Sequence, residues 1–150
     1  MRLVIGGKCQ GKLEYTISTF QINPEDVSDG KLGDTDIIYN LQDVIRDILD
    51  KEYDAGNGEN SYEKKYQKIY QKMQKYVKNH PKCIIICNEV GAGLVPMGKI
   101  EREYRDIVGK ICCDLAKEAR SVHRVVCGIG MVIKNDTCDI DSSWGNPREF

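Results

Sequence analysis

The chain has 150 residues, 41% apolar and 30% charged, which suffices for one domain with its own core and excludes a disordered chain. A net charge of −1 excludes a global field that would draw nucleic acid or anionic lipid. No apolar run approaches the roughly 18 residues of a membrane span, and glycine at position 6 leaves no room for a signal peptide, so the expected location is the cytoplasm.

Met1 to Ile5 reads as a strand that breaks into Gly6 and Gly7. Gly6, Gly11 and Lys12 carry the spacing G-x-x-x-x-G-K of a phosphate-binding loop, with Gly7 and Lys8 inside it. In such a loop, glycines let backbone N–H groups turn inward around a phosphate, and the lysine reaches the terminal phosphates. Position 13, where the motif places a Ser or Thr for magnesium, is Leu13. The pattern suits both a specialised phosphate loop and a plain strand–turn–helix junction. Its place between an N-terminal strand and the helical stretch 13–20 favours the loop.

Residues 21–35 are rich in turn dipeptides, with Val27 marking a very short strand. Residues 36–40 read either as a second strand or as the start of a helix over 41–53. In that helix Leu41, Val44, Ile45, Ile48 and Leu49 share one face. Asn40 stands where an acid that orients magnesium would be expected. Residues 54–61 form a loop, with Asn60 or Ser61 as N-cap.

Tyr62 to Asn79 interleaves lysines with tyrosines, a composition that invites a nucleic-acid reading. Tyr62, Tyr66, Ile69, Tyr70, Met73 and Val77 recur at helical spacing, however, so they predict a core stripe with lysines on the solvated side. Pro81 ends the helix. The run from Cys83 to Cys87 then delivers Asn88 and Glu89 to a glycine-rich turn, as a buried parallel strand does at the carboxyl edge of an α/β sheet. A long amphipathic helix is predicted over 100–119. Its first turns allow the pairs Glu101–Arg105 and Arg102–Asp106. Arg102 or Arg105 could instead meet an anionic ligand or a neighbouring subunit.

Residues 121–130 read as a last strand with a glycine turn, and 131–134 as a short antiparallel strand. The domain is therefore expected over 1–134, with a polar tail over 135–150. Of the seven cysteines, Cys83, Cys87, Cys112, Cys113 and Cys127 lie in apolar patterns without CxxC spacing. They read as buried, reduced thiols with no metal site. His80 and His123 read as structural.

The residues Asn88, Glu89, Val90, Gly91, Gly93, Val95, Pro96, Arg102, Tyr104, Arg105, Asp106, Gly109, Leu115, Ala116, Gly128, Ile129 and Gly130 carry a resemblance. Together with Gly6, Gly7, Gly11 and Lys12, they resemble the bifunctional adenosylcobinamide kinase/adenosylcobinamide-phosphate guanylyltransferases of corrinoid salvage. The resemblance implies an α/β, RecA-like P-loop NTPase fold with a mostly parallel sheet, and usually a homotrimer. It implies GTP or ATP with Mg2+, and cobinamide as acceptor of a phosphoryl and then a guanylyl group. Nucleotide binding would fall to Gly6, Gly7, Lys8, Gly11, Lys12, Leu13, Asn88 and Glu89, with Lys12 and Glu89 as the catalytic candidates. Cys112-Cys113 depart from a polar pair common in the family, and three further departures fall at the chemistry. Leu13 replaces the hydroxyl residue, Asn40 replaces an acid, and no histidine lies between Lys12 and Asn79 to carry the guanylyl group. A nucleotide-binding protein with a possible kinase step is expected. The alternatives are a non-catalytic paralogue that binds nucleotide or corrinoid, or assembles with an intact enzyme, and a kinase with another small acceptor.

Overall fold

The computed structural model describes residues 1–57, 61–91, 93 and 96–136. The expected tail beyond 136, the cap candidate Asn60 and Val95 lie outside the described residues. In chain order the elements are β1 (Arg2–Gly6), α1 (Lys12–Phe20), β2 (Val27–Asp29), β3 (Ile37–Tyr39), α2 (Leu41–Glu52), α3 (Tyr62–Asn79), β4 (Ile84–Asn88), α4 (Lys99–Glu118), β5 (Ser121–Val126) and β6 (Ile129–Asn135).

The strands form one sheet in the order β2-β3-β4-β1-β5-β6. The first five run parallel, and β6 returns antiparallel along β5. β1 is central, paired from Arg2↔Ile84 to Gly6↔Asn88 on one side and from Arg2↔Ser121 to Ile5↔Arg124 on the other. A central parallel strand is covered on both faces, so it must be apolar throughout, which is what Leu3, Val4 and Ile5 provide. Leu3, Ile85, Cys87 and Val122 turn to a core shared with α2, α3 and α4. Val4, Ile84, Ile86 and Val125 turn to a smaller cluster against Leu13, Tyr15 and Phe20 of α1. This is a mostly parallel α/β sheet flanked by helices on both faces.

The helices follow their apolar stripes. In α4 the side chains of Tyr104, Ile107, Val108, Ile111 and Leu115 are buried. Full burial of each such aliphatic side chain contributes about 1.5–3 kcal/mol relative to exposure. The α3 stripe buries Tyr66, Ile69 and Met73 as expected, and Tyr76 joins them. Lys65 departs from the expectation of a solvated lysine face. It is only 4% exposed and is paired with Glu103 at 2.8 Å.

The stretch 36–40 resolves as a strand over Ile37–Tyr39, which pairs with β2 on one side and β4 on the other. Asn40 then takes φ 60 as the hinge into α2, a left-handed conformation that asparagine tolerates better than most residues. The two expected pairs along α4 give way to other partners: Glu101 is held by Arg46 through two bonds of 2.8 and 2.6 Å, and Arg105 lies 3.6 Å from Asp106. Cys83 and Cys87 are buried and Cys112 is half-buried, but Cys113 and Cys127 are exposed. Cys113 falls on the outer side of α4, and Cys127 sits in a turn. The last strand pair is a full hairpin reaching Asn135, one residue past the expected domain limit. Its two-residue turn, Cys127-Gly128, has φ 50 and 77. Positive φ at both positions is the type I′ geometry that suits the twist of paired strands.

Candidate functional site

All five parallel strands end at one edge, and the loop between β1 and α1 wraps over it. Gly6 is the last residue of β1 and has no room for a side chain, since a Cβ there would lie 2.3 Å from the Val125 carbonyl oxygen. Further on, Cys9 and Gly11 have φ 58 and 77 on either side of Gln10. Left-handed residues alternating with right-handed ones turn successive N–H groups inward, which makes an anion-binding concavity. Gly11 then caps α1 without a side-chain bond, so the first N–H groups of that helix face the same space. The expected Gly7 and Lys8 lie on this loop, with Lys8 exposed.

Lys12 is 4% exposed and donates to the Gly7 carbonyl at 2.7 Å, folding its amine back under the loop. Burial lowers its pKa, opposed by smaller contributions from Cys87, Cys9, Glu89 and Glu14. Leu13 is placed differently from an ion-binding residue. Its side chain joins the apolar cluster beneath α1. The next hydroxyl, that of Thr16, is buried and donates to the Lys12 carbonyl at 2.7 Å.

The loop is pinned from an unexpected side. Gln10 accepts from the Cys127 N–H through Oε1 at 2.8 Å and from the Gly128 N–H through its own carbonyl at 2.8 Å. The β5–β6 turn thus buttresses the crown of the loop. Gln10 lies inside the motif, yet nothing in the spacing identifies its partner more than a hundred residues away.

Across the edge runs a chain of polar groups. The Asn40 amide donates to Asp29 Oδ1 at 2.8 Å, and Gln42 Nε2 donates to Asn40 Oδ1 at 3.1 Å. Gln42 Oε1 accepts from the Asn88 N–H at 3.0 Å. An acid therefore does stand beside position 40, but it comes from β2 as Asp29, one strand further out. Nearby Tyr39 has its pKa raised by burial, with Asp29 and Glu14 adding to the effect.

Glu89 follows β4, and its N–H donates to the Gly6 carbonyl at 2.9 Å. Its carboxylate is held by Arg124 of β5, with Nε at 2.9 Å and Nη2 at 3.3 Å. Arg124 is the residue sequence reasoning missed. Its signal was available, because it is the one arginine in the otherwise uncharged strand SVHRVV. Arg102, a candidate for an outside ligand, instead donates to the carbonyls of Pro96 at 3.2 Å and Met97 at 2.6 Å. It bridges the loop before α4 back onto the helix. Arg105 lies on the same helix beside Asp106.

The structure thus brings Gly6, Gly7, Gly11, Lys12, Asn88 and Glu89 to one edge. Leu13 points its side chain away, and Arg102 and Arg105 lie outside. Among the described residues no group of three or more His, Cys, Asp or Glu side chains could hold a metal ion. No described helix is long and apolar enough to cross a membrane.

The strand order and the loop over β1 define a mostly parallel α/β fold flanked by helices, consistent with a phosphate-loop NTPase. Residues 25–133 match the sequence model of the cobinamide kinase / cobinamide phosphate guanyltransferase family, and the chain belongs to that family. It is also similar to the bifunctional adenosylcobalamin biosynthesis protein CobU of Escherichia coli K12, with 45% identity over 53 residues. The same figures hold for its counterpart from Salmonella typhimurium LT2. Each alignment spans 35% of this chain and 29% of the relative.

Proposed function

We propose that the chain binds a nucleoside triphosphate at the loop Gly6–Lys12 and supports phosphoryl transfer to a hydroxyl of a corrinoid precursor such as cobinamide. The observation that carries this reading is the loop itself: left-handed backbone at Cys9 and Gly11 above a buried Lys12. Backbone N–H groups and the lysine would hold the phosphates and neutralise charge, which is most of what a phosphoryl-transfer site supplies. The acceptor oxygen would bond to the terminal phosphorus as the bridging P–O bond breaks. The hydroxyl proton would pass to Glu89, and the nucleoside diphosphate would leave.

Guanylyl transfer is not part of the proposal, because the family's histidine has no counterpart between Lys12 and Asn79. The described residues also offer no magnesium cage of their own, and the Leu13 side chain packs against the apolar cluster beneath α1. Magnesium would arrive on the nucleotide phosphates, and no step is routed through it. Assembly as a homotrimer in the cytoplasm is part of the same reading.

A second reading is a binding protein without turnover, assembled with an intact enzyme. The apolar placement of Leu13 and the engagement of Glu89 by Arg124 favour it.

Calorimetric titration with GTP and with ATP, with and without magnesium, tests the proposal, with Lys12→Ala as control and circular dichroism to confirm its fold. Binding that requires Lys12 is expected, followed by cobinamide-dependent release of nucleoside diphosphate. Absence of binding at millimolar nucleotide would refute the reading. Binding without turnover on any cobinamide would leave the second.

A further inference from the structure

The pair Glu89–Arg124 stands at an unusual place. β4 and β5 flank β1, so an ion pair between them crosses over the end of the strand that feeds the phosphate loop. Ile5 is in register with Arg124, and Glu89 is bonded through its backbone to Gly6. The guanidinium is therefore carried to within a residue of the loop's first turn. Glu89 also contributes to the electrostatic surroundings of the Lys12 amine.

The pair is not a buried brace. The Arg124 side chain is 48% exposed and that of Glu89 is 25% exposed. Exposed pairs of this kind are weakly held. Arginine binds phosphate and carboxylate alike through parallel charge-assisted hydrogen bonds, and a terminal phosphate, at about −1.5 to −2, carries more charge than one carboxylate. The pair uses Nε and Nη2, so Nη1 takes no part in it. An arriving terminal phosphate would thus meet a loosely engaged cation beside a loop already built for anions.

We propose that Arg124 reads the terminal phosphate: it exchanges Glu89 for that group when a triphosphate binds, and so releases the Glu89 carboxylate toward the acceptor. The proposal rests on the nucleotide-binding reading above. It assigns Arg124 to discrimination of triphosphate from diphosphate, and it makes the Glu89–Arg124 pair the resting latch of the site. In the unliganded protein the carboxylate is occupied by the guanidinium. With triphosphate bound, the base is free and the transferred group carries an additional positive partner.

Calorimetric affinities for GTP and GDP, at fixed magnesium, test this in wild type, Arg124→Gln, Arg124→Lys and Glu89→Gln. Arg124→Gln is expected to weaken GTP by about tenfold, the scale of one charge-assisted contact, and to change GDP less than about twofold. Arg124→Lys should recover part of the loss. Glu89→Gln should tighten GTP severalfold by removing the competitor for the guanidinium, a readout that does not depend on how Arg124→Gln folds. Thermal unfolding midpoints close to wild type would accompany these changes, since the pair is exposed. Equal losses for GTP and GDP in Arg124→Gln, or no loss for either, would overturn the proposal. So would weaker GTP binding by Glu89→Gln. If the wild type binds neither nucleotide, the nucleotide reading fails first and takes this one with it. If the wild type binds and Arg124→Gln is unchanged, this inference alone falls.

Discussion

Replacing Glu103 by Gln removes the charge opposite Lys65 while keeping the side chain's shape. The Lys65 side chain is 2% exposed and that of Glu103 is 15% exposed, with 2.8 Å between amine and carboxylate. Tyr53 closes a triangle, donating to Glu103 Oε2 at 2.9 Å and accepting from Lys65 at 3.0 Å. Burial alone would lower the Lys65 pKa, but its bonds to Glu103 and Tyr53 outweigh that and raise it. For Glu103, burial acts upward, and the bonds from Lys65 and Tyr53 prevail to hold it below its ordinary value. Removing one partner of a buried ion pair costs about 3–5 kcal/mol, because the other charge stays desolvated. Tyr53 remains beside the amine, and the amide oxygen of the substituted side chain would still accept a bond. The lower end therefore applies, about 3 kcal/mol. For a chain of this size each kcal/mol shifts the unfolding midpoint by about 2–4 °C, which gives a drop of about 6–12 °C. Thermal unfolding followed by circular dichroism at neutral pH reads it directly. The double variant Lys65→Met, Glu103→Leu should lose less than the single one, since no orphaned charge is left. The sign with pH follows from the lowered Glu103 pKa. Its stabilisation is present above the ordinary value of 4.5 and is lost as pH falls through the lower folded value. A midpoint within about 1 °C of wild type for Glu103→Gln, or a double variant less stable than the single, would refute the reasoning.

His123 and Gln10 provide two further tests. Burial, with a smaller contribution from Arg2, lowers the His123 pKa from 6.5, and its ring is bonded to the Tyr15 hydroxyl at 2.8 Å and the Ser121 hydroxyl at 3.0 Å. The stability it contributes is present above 6.5 and is lost as pH falls through the folded value. The unfolding midpoint should fall as pH drops from about 7.5 to about 5.5 and do so less in His123→Phe, while an imidazole titrating at or above its ordinary value by NMR would contradict this. Gln10→Ala removes the acceptor of the Cys127 N–H. Hydrogen exchange at that amide should quicken and nucleotide affinity should drop by about threefold, about 0.6 kcal/mol and the low end for one hydrogen bond. Unchanged exchange would show that the turn holds itself.

The fold was legible where local pattern and tertiary demand agree. The tyrosine stripe ending at Pro81 predicted α3 with its observed limits, and the apolar run into Asn88-Glu89 predicted β4 at the carboxyl edge. Residues 36–40 were ambiguous because three apolar residues suit a strand or a helix start, and only pairing with β2 and β4 decides. The loop's own residues were readable from spacing. Its supports were not: Gln10 finds its partners in the β5–β6 turn, Asn40 finds Asp29, and Glu89 finds Arg124. Each is a contact between loop and strand-end residues that only the sheet topology brings together, which no local pattern encodes. Lys65 and Cys127 were misread for the opposite reason. Composition placed the lysine outside and the cysteine inside, whereas a buried carboxylate draws Lys65 in and a tight turn puts Cys127 out.

The central position of β1 has a consequence for synthesis on the ribosome. β1 pairs only with residues from Ile84 onward and from Ser121 onward, all made long after it. Leu3, Val4 and Ile5 must therefore wait until Ile84 and the residues after it are made before either edge is satisfied. The phosphate loop waits longer still, until Cys127 and Gly128 can take up Gln10. Such distant pairing is slow and keeps apolar strand edges open. A nascent chain halted before the β5–β6 hairpin would carry β1 with one edge open and an unbuttressed loop, which makes that hairpin a gate between synthesis and a working site.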